Sequence, residues 1–201
     1  MLRAKSIERR ACRIIRQGGP GAVSQVMTAM DSALLRSPPF VAALAVALGG
    51  AATILGAYFF QYVLGLPPCP LCLDQRVPYY IAIPLGLALA VWIWRGAPVW
   101  AVRAGLAALV VVMLVGAGLG LYHAGVEWRW WPGPTDCSGP VGAGLGSAAD
   151  LMSRIEVARV VRCDEAAWRF LGLSLAGYNV LIALVLAAVA GWGLAASRRA
   201  G

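Results

Sequence analysis

Cys69 and Cys72 are the residues best suited to chemistry, because they form a Cys-x-x-Cys pair in a short turn between two long apolar runs. Such a pair could form a structural disulfide, contribute to a zinc site or exchange disulfides with a partner. In the chain-entropy model, closing a loop of about four residues contributes only about 1.9 kcal/mol, and strained short bridges are labile. The spacing therefore favours redox exchange, with the other two roles open as alternatives.

Arg76 follows Cys72 by four residues. If a helix begins near Cys72, both side chains face the same way, and a guanidinium beside a thiol favours the nucleophilic thiolate. An arginine at a membrane interface can instead extend its charge toward lipid phosphate. We predict that Arg76 assists the thiol chemistry.

His123 and Glu127 have i, i+4 spacing at the end of the third apolar run. On one helix face they could form a polar pocket for a head group whose tail lies in lipid, and a simple His–Glu pair is an equally open alternative. Because the chain contains one histidine, a metal site with several histidines is excluded. No metal ligand is predicted.

Cys137 and Cys163 lie in a long hydrophilic loop, about residues 124–167. A bridge between them would close about 27 residues and contribute about 3.6 kcal/mol, which by itself favours a structural disulfide over a redox pair. A zinc site built from all four of these cysteines lacks paired-ligand spacing at Cys137 and Cys163. The fifth cysteine, Cys12, lies among basic residues and is predicted to be a free thiol.

The composition is that of a membrane protein. Of 201 residues, 60% are hydrophobic and 13% are charged, about half the charged share of a soluble domain. Four apolar runs, near residues 40–64, 77–94, 104–122 and 170–192, are long enough to cross a hydrocarbon core about 30 Å thick. Since backbone groups in lipid must bond one another, we predict an all-α membrane protein, a four-transmembrane-helix bundle with two outward-facing cysteine loops.

Glycines in the first and third runs should allow close approach of the helices, as small residues do in membranes. These are Gly49, Gly50, Gly56, Gly116, Gly118 and Gly120.

The basic residues indicate orientation rather than nucleic-acid binding, despite the net charge of +8. Eleven of the 17 lie before the first run, between the second and third, or after the fourth. The positive-inside rule then places both termini in the cytoplasm and both cysteine loops outside, where disulfides persist.

Three regions are predicted. Residues 1–39 are a basic cytoplasmic tail, either disordered or added by an over-long start assignment, with Met27 or Met30 as the true start. Residues 40–193 are the membrane domain, including the outer loop 124–167, and residues 194–201 are a second cytoplasmic tail.

A combination of motifs resembles the disulfide bond formation protein B (DsbB) family. The match includes Cys69-Pro-Leu-Cys72 with Arg76 and Pro78-Tyr79, then His123 to Trp128, Trp131-Pro-Gly-Pro134 with Cys137, and Cys163 to Leu173. It covers about residues 40–192, and the combination is highly specific although each piece alone is not.

The resemblance implies an inner-membrane oxidoreductase that reoxidises a periplasmic thiol oxidase of the DsbA type and passes two electrons to quinone, either ubiquinone or menaquinone. The partner's thiolate would attack the bond between Cys137 and Cys163, and Cys69 and Cys72 would then reoxidise that pair. Cys72 and Arg76 would face the quinone.

By the same resemblance, His123 and Glu127 would lie near the quinone pocket. The family often carries Gln where this chain has Glu127, which makes that role less specific.

Two alternatives remain. A vitamin K epoxide reductase-like enzyme also combines four helices with Cys-x-x-Cys, but its dithiol typically lies within a later span. A non-enzymatic membrane scaffold would carry the same cysteines as structural disulfides and would keep its function without the Cys69–Cys72 bridge.

Overall fold

The computed structural model describes residues 37–133 and 163–199, which are mostly helical. Predictions about Cys12, Cys137 and the tail before residue 37 lie outside these residues. In chain order the described elements are helix α1 (Pro38–Tyr58), a π-helical segment (Phe59–Val63), helices α2 (Pro70–Asp74), α3 (Val77–Trp94) and α4 (Val99–Glu127), strands β1 (Arg169–Phe170) and β2 (Leu173–Ser174), and helix α5 (Leu175–Arg199).

Four stretches of the described chain are long and apolar enough to cross a membrane, and they contain 25 to 29 residues each. At 1.5 Å per residue the shortest is about 37 Å long, so its ends extend beyond a hydrocarbon core of about 30 Å. The predicted all-α, four-span membrane fold is confirmed. The stretches are Pro38–Val63, Pro70–Trp94, Val99–Glu127 and Leu175–Arg199.

The predicted start of the fourth span at Phe170 is wrong, because a β-hairpin occupies that position. Arg169 pairs with Ser174 and Phe170 with Leu173. The two residues between them, Leu171 and Gly172, have φ of 49° and 82°. Consecutive positive φ values are typical of the tightest hairpin turns and cannot continue a right-handed helix. Helix α5 therefore begins only at Leu175.

The third span is longer than predicted at both ends. It begins at Val99 because Arg103 is accommodated inside the helix, where its Nη2 donates to the carbonyl oxygen of Ser197 at 3.0 Å. That carbonyl lies in the last turn of α5, where helix carbonyls lack intrahelical donors. At its other end the helix continues through Glu127, so His123 and Glu127 both belong to α4.

The chain divides into two compact units. In the first (described residues 37–49, 82–111 and 186–199), helices pack through small residues. A Cβ on Gly86 would lie 2.8 Å from the carbonyl oxygen of Ala43, so α3 lies directly on the backbone of α1 there. The second unit (50–81, 112–133 and 163–185) contains Cys69, Cys72 and Cys163.

The glycine predictions are confirmed in part. A Cβ at Gly49, Gly116 or Gly120 would lie 3.3 Å or less from a neighbouring helix atom. Gly56 and Gly118 have no atom of the described residues within 4 Å of such a Cβ, so the prediction is wrong for these two. Gly50 is buried, and its contact role stays a prediction.

Replacing Gly86 with Ala should destabilise the protein by about 1–3 kcal/mol, because the new methyl group meets backbone that cannot move aside. Gly118→Ala is the matched control, since its methyl group meets open space and alanine favours a helix by about 1 kcal/mol. Unfolding in detergent followed by circular dichroism measures both. A Gly86→Ala variant as stable as Gly118→Ala would contradict the close packing.

Candidate active site

The backbone before the dithiol stops being helical for a local reason. The π-helical segment ends as Leu64 N–H donates to Phe59 O, and Gly65 follows with φ of 67°. Pro67 and Pro68 then prevent a helix, and Cys69 is extended (φ −76°, ψ 166°), as a residue before proline must be. Pro70 takes the first position of α2, where a missing N–H costs nothing.

Cys69 caps α2 with its own sulfur. Its Sγ accepts a hydrogen bond from the backbone N–H of Cys72 at 3.3 Å and lies 2.8 Å from the Sγ of Cys72. Cys69 is 3% exposed, and Cys72 is half-buried. The hydrogen bond to Cys72, and then burial, raise the pKa of the Cys69 thiol. Both cysteines are thiols in this structure, in a geometry suited to forming one disulfide.

Cys163 joins the same buried cluster. It is 1% exposed and packs with Cys69, Leu71 and Val126, with Cys72 against the cluster. The structure therefore brings together three of the four cysteines selected from the sequence. Cys137, the fourth, lies outside the described residues.

His123 and Glu127 both reach the dithiol from α4. The Nε2 atom of His123 lies 3.6 Å from Cys69 Sγ and 3.8 Å from Glu127 Oε1. Glu127 is 8% exposed, and its side chain also bonds Ser174. Its Oε2 atom has no hydrogen-bond partner among the residues that the structure describes. The i, i+4 spacing thus does produce one polar group beside the thiols.

Arg76 is buried and is held by the end of the first span. Its Nη1 donates to Gln61 Oε1 at 2.9 Å, and its guanidinium lies 5.2 Å from the centre of the Tyr58 ring. Tyr58 in turn shares a hydrogen bond of 2.9 Å with Tyr80. Arg76 and Cys72 line the same cavity.

Gln61, Gln75 and Asn179 are functional candidates that the sequence analysis missed. Gln75 is 7% exposed and bonds both His123 and Asn179. The sequence feature that could have identified such residues is an amide side chain inside an apolar span. A polar side chain there costs free energy unless it has a hydrogen-bond partner. Asn179 and Gln61 both carried that feature.

A cavity of about 610 Å³ lies within this second unit. Its wall is mostly apolar, with residues such as Ile54, Phe60 and Ile182. Five groups selected from the sequence also line it, namely Cys69, Cys72, Arg76, His123 and Glu127. A volume of this size with a few converging polar groups is typical of a small-molecule site.

The comparisons with known proteins agree with the family resemblance that the sequence motifs indicated. A family model described as "Disulfide bond formation protein DsbB" matches residues 39–193. Disulfide bond formation protein B of Xanthomonas oryzae pv. oryzae is 33% identical over 154 residues, which cover 72% of this chain and 81% of that protein. The Nitrosococcus oceani protein of the same name is 28% identical over 158 residues, or 76% and 85% of the two chains. No solved structure matches the chain significantly.

Four membrane-spanning helices and a dithiol at the wall of a cavity fit the class of membrane thiol oxidoreductases that the family name implies. Within that class, the chain belongs to the disulfide bond formation protein B (DsbB) family and is a multi-pass membrane protein of disulfide bond formation.

In the reduced protein, Cys69 should alkylate at least about tenfold more slowly than Cys72 near pH 8. A raised pKa keeps Cys69 protonated where an ordinary thiol, with pKa near 8.5, is substantially ionised. Its rate should therefore keep rising above about pH 9 instead of levelling off. Iodoacetamide labelling followed by peptide mass spectrometry measures both rates.

Cys72→Ala is the informative variant, because it removes the hydrogen bond that contributes most to the raised pKa. Cys69 should then react faster near pH 8. Equal rates for Cys69 and Cys72 in the unmodified protein from about pH 7 to 9 would contradict the assigned environment.

Proposed function

We propose that the protein is a quinone-dependent oxidoreductase of the bacterial inner membrane that reoxidises a periplasmic thiol oxidase of the DsbA type by disulfide exchange. The observation that carries the proposal is the Cys69–Cys72 dithiol at the wall of a cavity that also presents Arg76, His123 and Glu127. Thiol–disulfide exchange alone requires no such cavity.

The cavity suits a quinone. Its apolar wall matches a ring and isoprenoid tail, and Arg76 is a hydrogen-bond donor of the kind that quinone oxygens require. The unpartnered Oε2 of Glu127 is a buried acceptor in the described chain, and a hydroxyl of the reduced quinone could donate to it. When bound, quinone supplies a two-electron acceptor. Cys72 and Arg76 would lie beside it, and His123 and Glu127 would complete the polar side.

The cysteine cluster supports disulfide exchange between the Cys137–Cys163 pair and the Cys69–Cys72 pair. Attack by the partner's thiolate on Cys137 would form a mixed disulfide and release Cys163 as a thiolate. Because Cys163 packs in the cluster with Cys69, it could attack Cys69 Sγ, forming a Cys69–Cys163 bond and releasing Cys72 as a thiolate. Arg76 would stabilise that thiolate. Each step exchanges one S–S bond for another, so electrons balance until Cys72 delivers them.

The distribution of basic residues supports the orientation of the relay. With both termini in the cytoplasm, Cys69, Cys72, Cys137 and Cys163 face the periplasm, where the proposed partner acts.

Replacing Cys72 with Ala should abolish quinone reduction by the purified protein supplied with a reduced DsbA-type oxidase. Stopped-flow absorbance of a short-chain quinone measures this, and Cys137→Ala should abolish it too. Cys12→Ala is the matched control and should retain activity. Turnover by Cys72→Ala would overturn the assignment, and folded, oxidised wild-type protein that reduces no quinone would favour the scaffold alternative.

Replacing Arg76 with Ala should raise the apparent KM for quinone by about tenfold or more, since a hydrogen bond to a charged group contributes about 1.5–3 kcal/mol. The KM for the thiol partner should change less. Gln61→Leu, which leaves Arg76 without its acceptor, should give a smaller change in the same direction. Arg198→Ala, an exposed arginine of α5, is the control. An unchanged KM for quinone in Arg76→Ala would remove its proposed role.

A further inference from the structure

A chain of hydrogen bonds leads from Tyr79 to the dithiol. The hydroxyl of Tyr79 donates to Asn179 Oδ1 at 2.7 Å, and Asn179 Nδ2 donates to Gln75 Oε1 at 2.7 Å. Gln75 Nε2 then bonds His123 Nδ1, and His123 Nε2 lies 3.6 Å from Cys69 Sγ. The chain thus connects α3, α5 and α4 within the second unit, and it ends on the sulfur proposed to receive the attack of Cys163.

The orientation of the Gln75 amide follows from its other neighbours. Its Nε2 also lies 3.2 Å from the carbonyl oxygen of Leu71, which can only accept a hydrogen bond. Its Oε1 receives the N–H of Asn179. The NH₂ end of Gln75 therefore faces His123, and it donates there as well. Consequently His123 Nδ1 is the acceptor, and a neutral imidazole with an accepting Nδ1 carries its proton on Nε2.

The neighbours of Nε2 agree with this tautomer. Cys69 Sγ at 3.6 Å and Glu127 Oε1 at 3.8 Å are both able to accept a hydrogen bond, and the backbone carbonyl of Cys163, which also faces the ring, is a further acceptor. Cys69 Sγ is in turn 2.8 Å from Cys72 Sγ. Each residue from Tyr79 to His123 then donates one hydrogen bond along the chain toward the sulfurs, and hydrogen bonds aligned in one direction polarise one another.

We propose that Gln75, supported by Asn179 and Tyr79, is a positioning residue that holds His123 in its Nε2–H tautomer and so directs a permanent N–H donor at Cys69. This rests on the proposed function only in that the Cys69–Cys72 pair is the redox pair. The donor stabilises the singly ionised dithiol, in which one proton lies between two sulfurs. Stabilising the reduced form makes a dithiol/disulfide pair more oxidising.

The same tautomer has a consequence for metals. The sulfurs of Cys69 and Cys72 and a nitrogen of His123 lie within 4.8 Å of one another, and zinc binds such N and S atoms tightly. A metal ligand must offer a lone pair, and Nε2 carries a proton instead. Gln75 thereby disfavours capture of the reduced dithiol by zinc, which would block exchange.

The first test is ¹⁵N NMR of full-length, reduced protein labelled with ¹⁵N-histidine and purified without a histidine tag. Because the chain contains one histidine, its two ring nitrogens give the only ring signals. We expect Nδ1 unprotonated and Nε2 protonated in the wild type. In Gln75→Glu, a carboxylate at this position must accept, so the proton should move to Nδ1.

Gln61→Glu is the matched control, because it adds the same charge near Arg76 without touching His123. It should keep the wild-type tautomer. Wild-type protein with Nδ1 protonated, or Gln75→Glu with unchanged shifts, overturns the proposal. If Gln75→Glu does not fold, Asn179→Leu serves instead, since loss of the donor to Gln75 should give a mixture of both tautomers, and a wild-type spectrum would overturn the proposal.

The second test measures the equilibrium of the Cys69–Cys72 pair with glutathione in a background of Cys137→Ser and Cys163→Ser. Gln75→Glu should shift it toward the disulfide by about tenfold, which is about 30 mV more negative for a two-electron couple. Gln61→Glu should shift it less. Equal shifts in the two variants would overturn the positioning role. Neither test uses quinone or the thiol partner, so a failure of quinone reduction leaves this inference standing and removes only the proposed function.

Discussion

The site depends on one constraint, which is that polar side chains beside an apolar cavity must find their hydrogen-bond partners within the protein. Burying a donor or acceptor without a partner costs a few kcal/mol, and water is scarce at membrane depth. Gln75 meets this constraint with three neighbours, namely Leu71, His123 and Asn179. Because these lie in α2, α4 and α5, the bonds that satisfy Gln75 also set how these three helices meet around the thiols.

The break between the first two spans serves the same site. The π-helical segment changes the phase of the helix, which is a frequent device at functional sites. Gln61 lies inside that segment and Tyr58 immediately before it, and both contact Arg76. The prolines that follow stop the helix, so that Cys69 can cap α2 with its sulfur. One irregular stretch therefore positions both the arginine and the dithiol.

Features that depend on local spacing could be predicted from the sequence, and features that depend on distant partners could not. The four spans follow from the length of apolar runs, and the His123–Glu127 pair follows from helix periodicity. The partnership of Gln75 with Asn179 joins residues 104 apart, which no spacing rule reaches. The hairpin at Leu171 was missed because hydropathy treats its apolar residues as part of a span, whereas backbone dihedrals with positive φ decide the turn.

Glu127 differs from the glutamine that the family often carries at this position. Where the family often has Gln, this chain has a carboxylate, and both side chains offer an oxygen that can accept from His123 Nε2–H. The two differ at the second atom, which is an amide donor in Gln and an acceptor in Glu. In this chain that atom is Oε2 of Glu127, a side chain that lines the cavity. This Oε2 has no hydrogen-bond partner among the described residues. With the proposed Nε2–H tautomer, Gln or Glu at this position could accept from His123 equally well, and the two would differ in the hydrogen-bonding character that the cavity presents to a ligand.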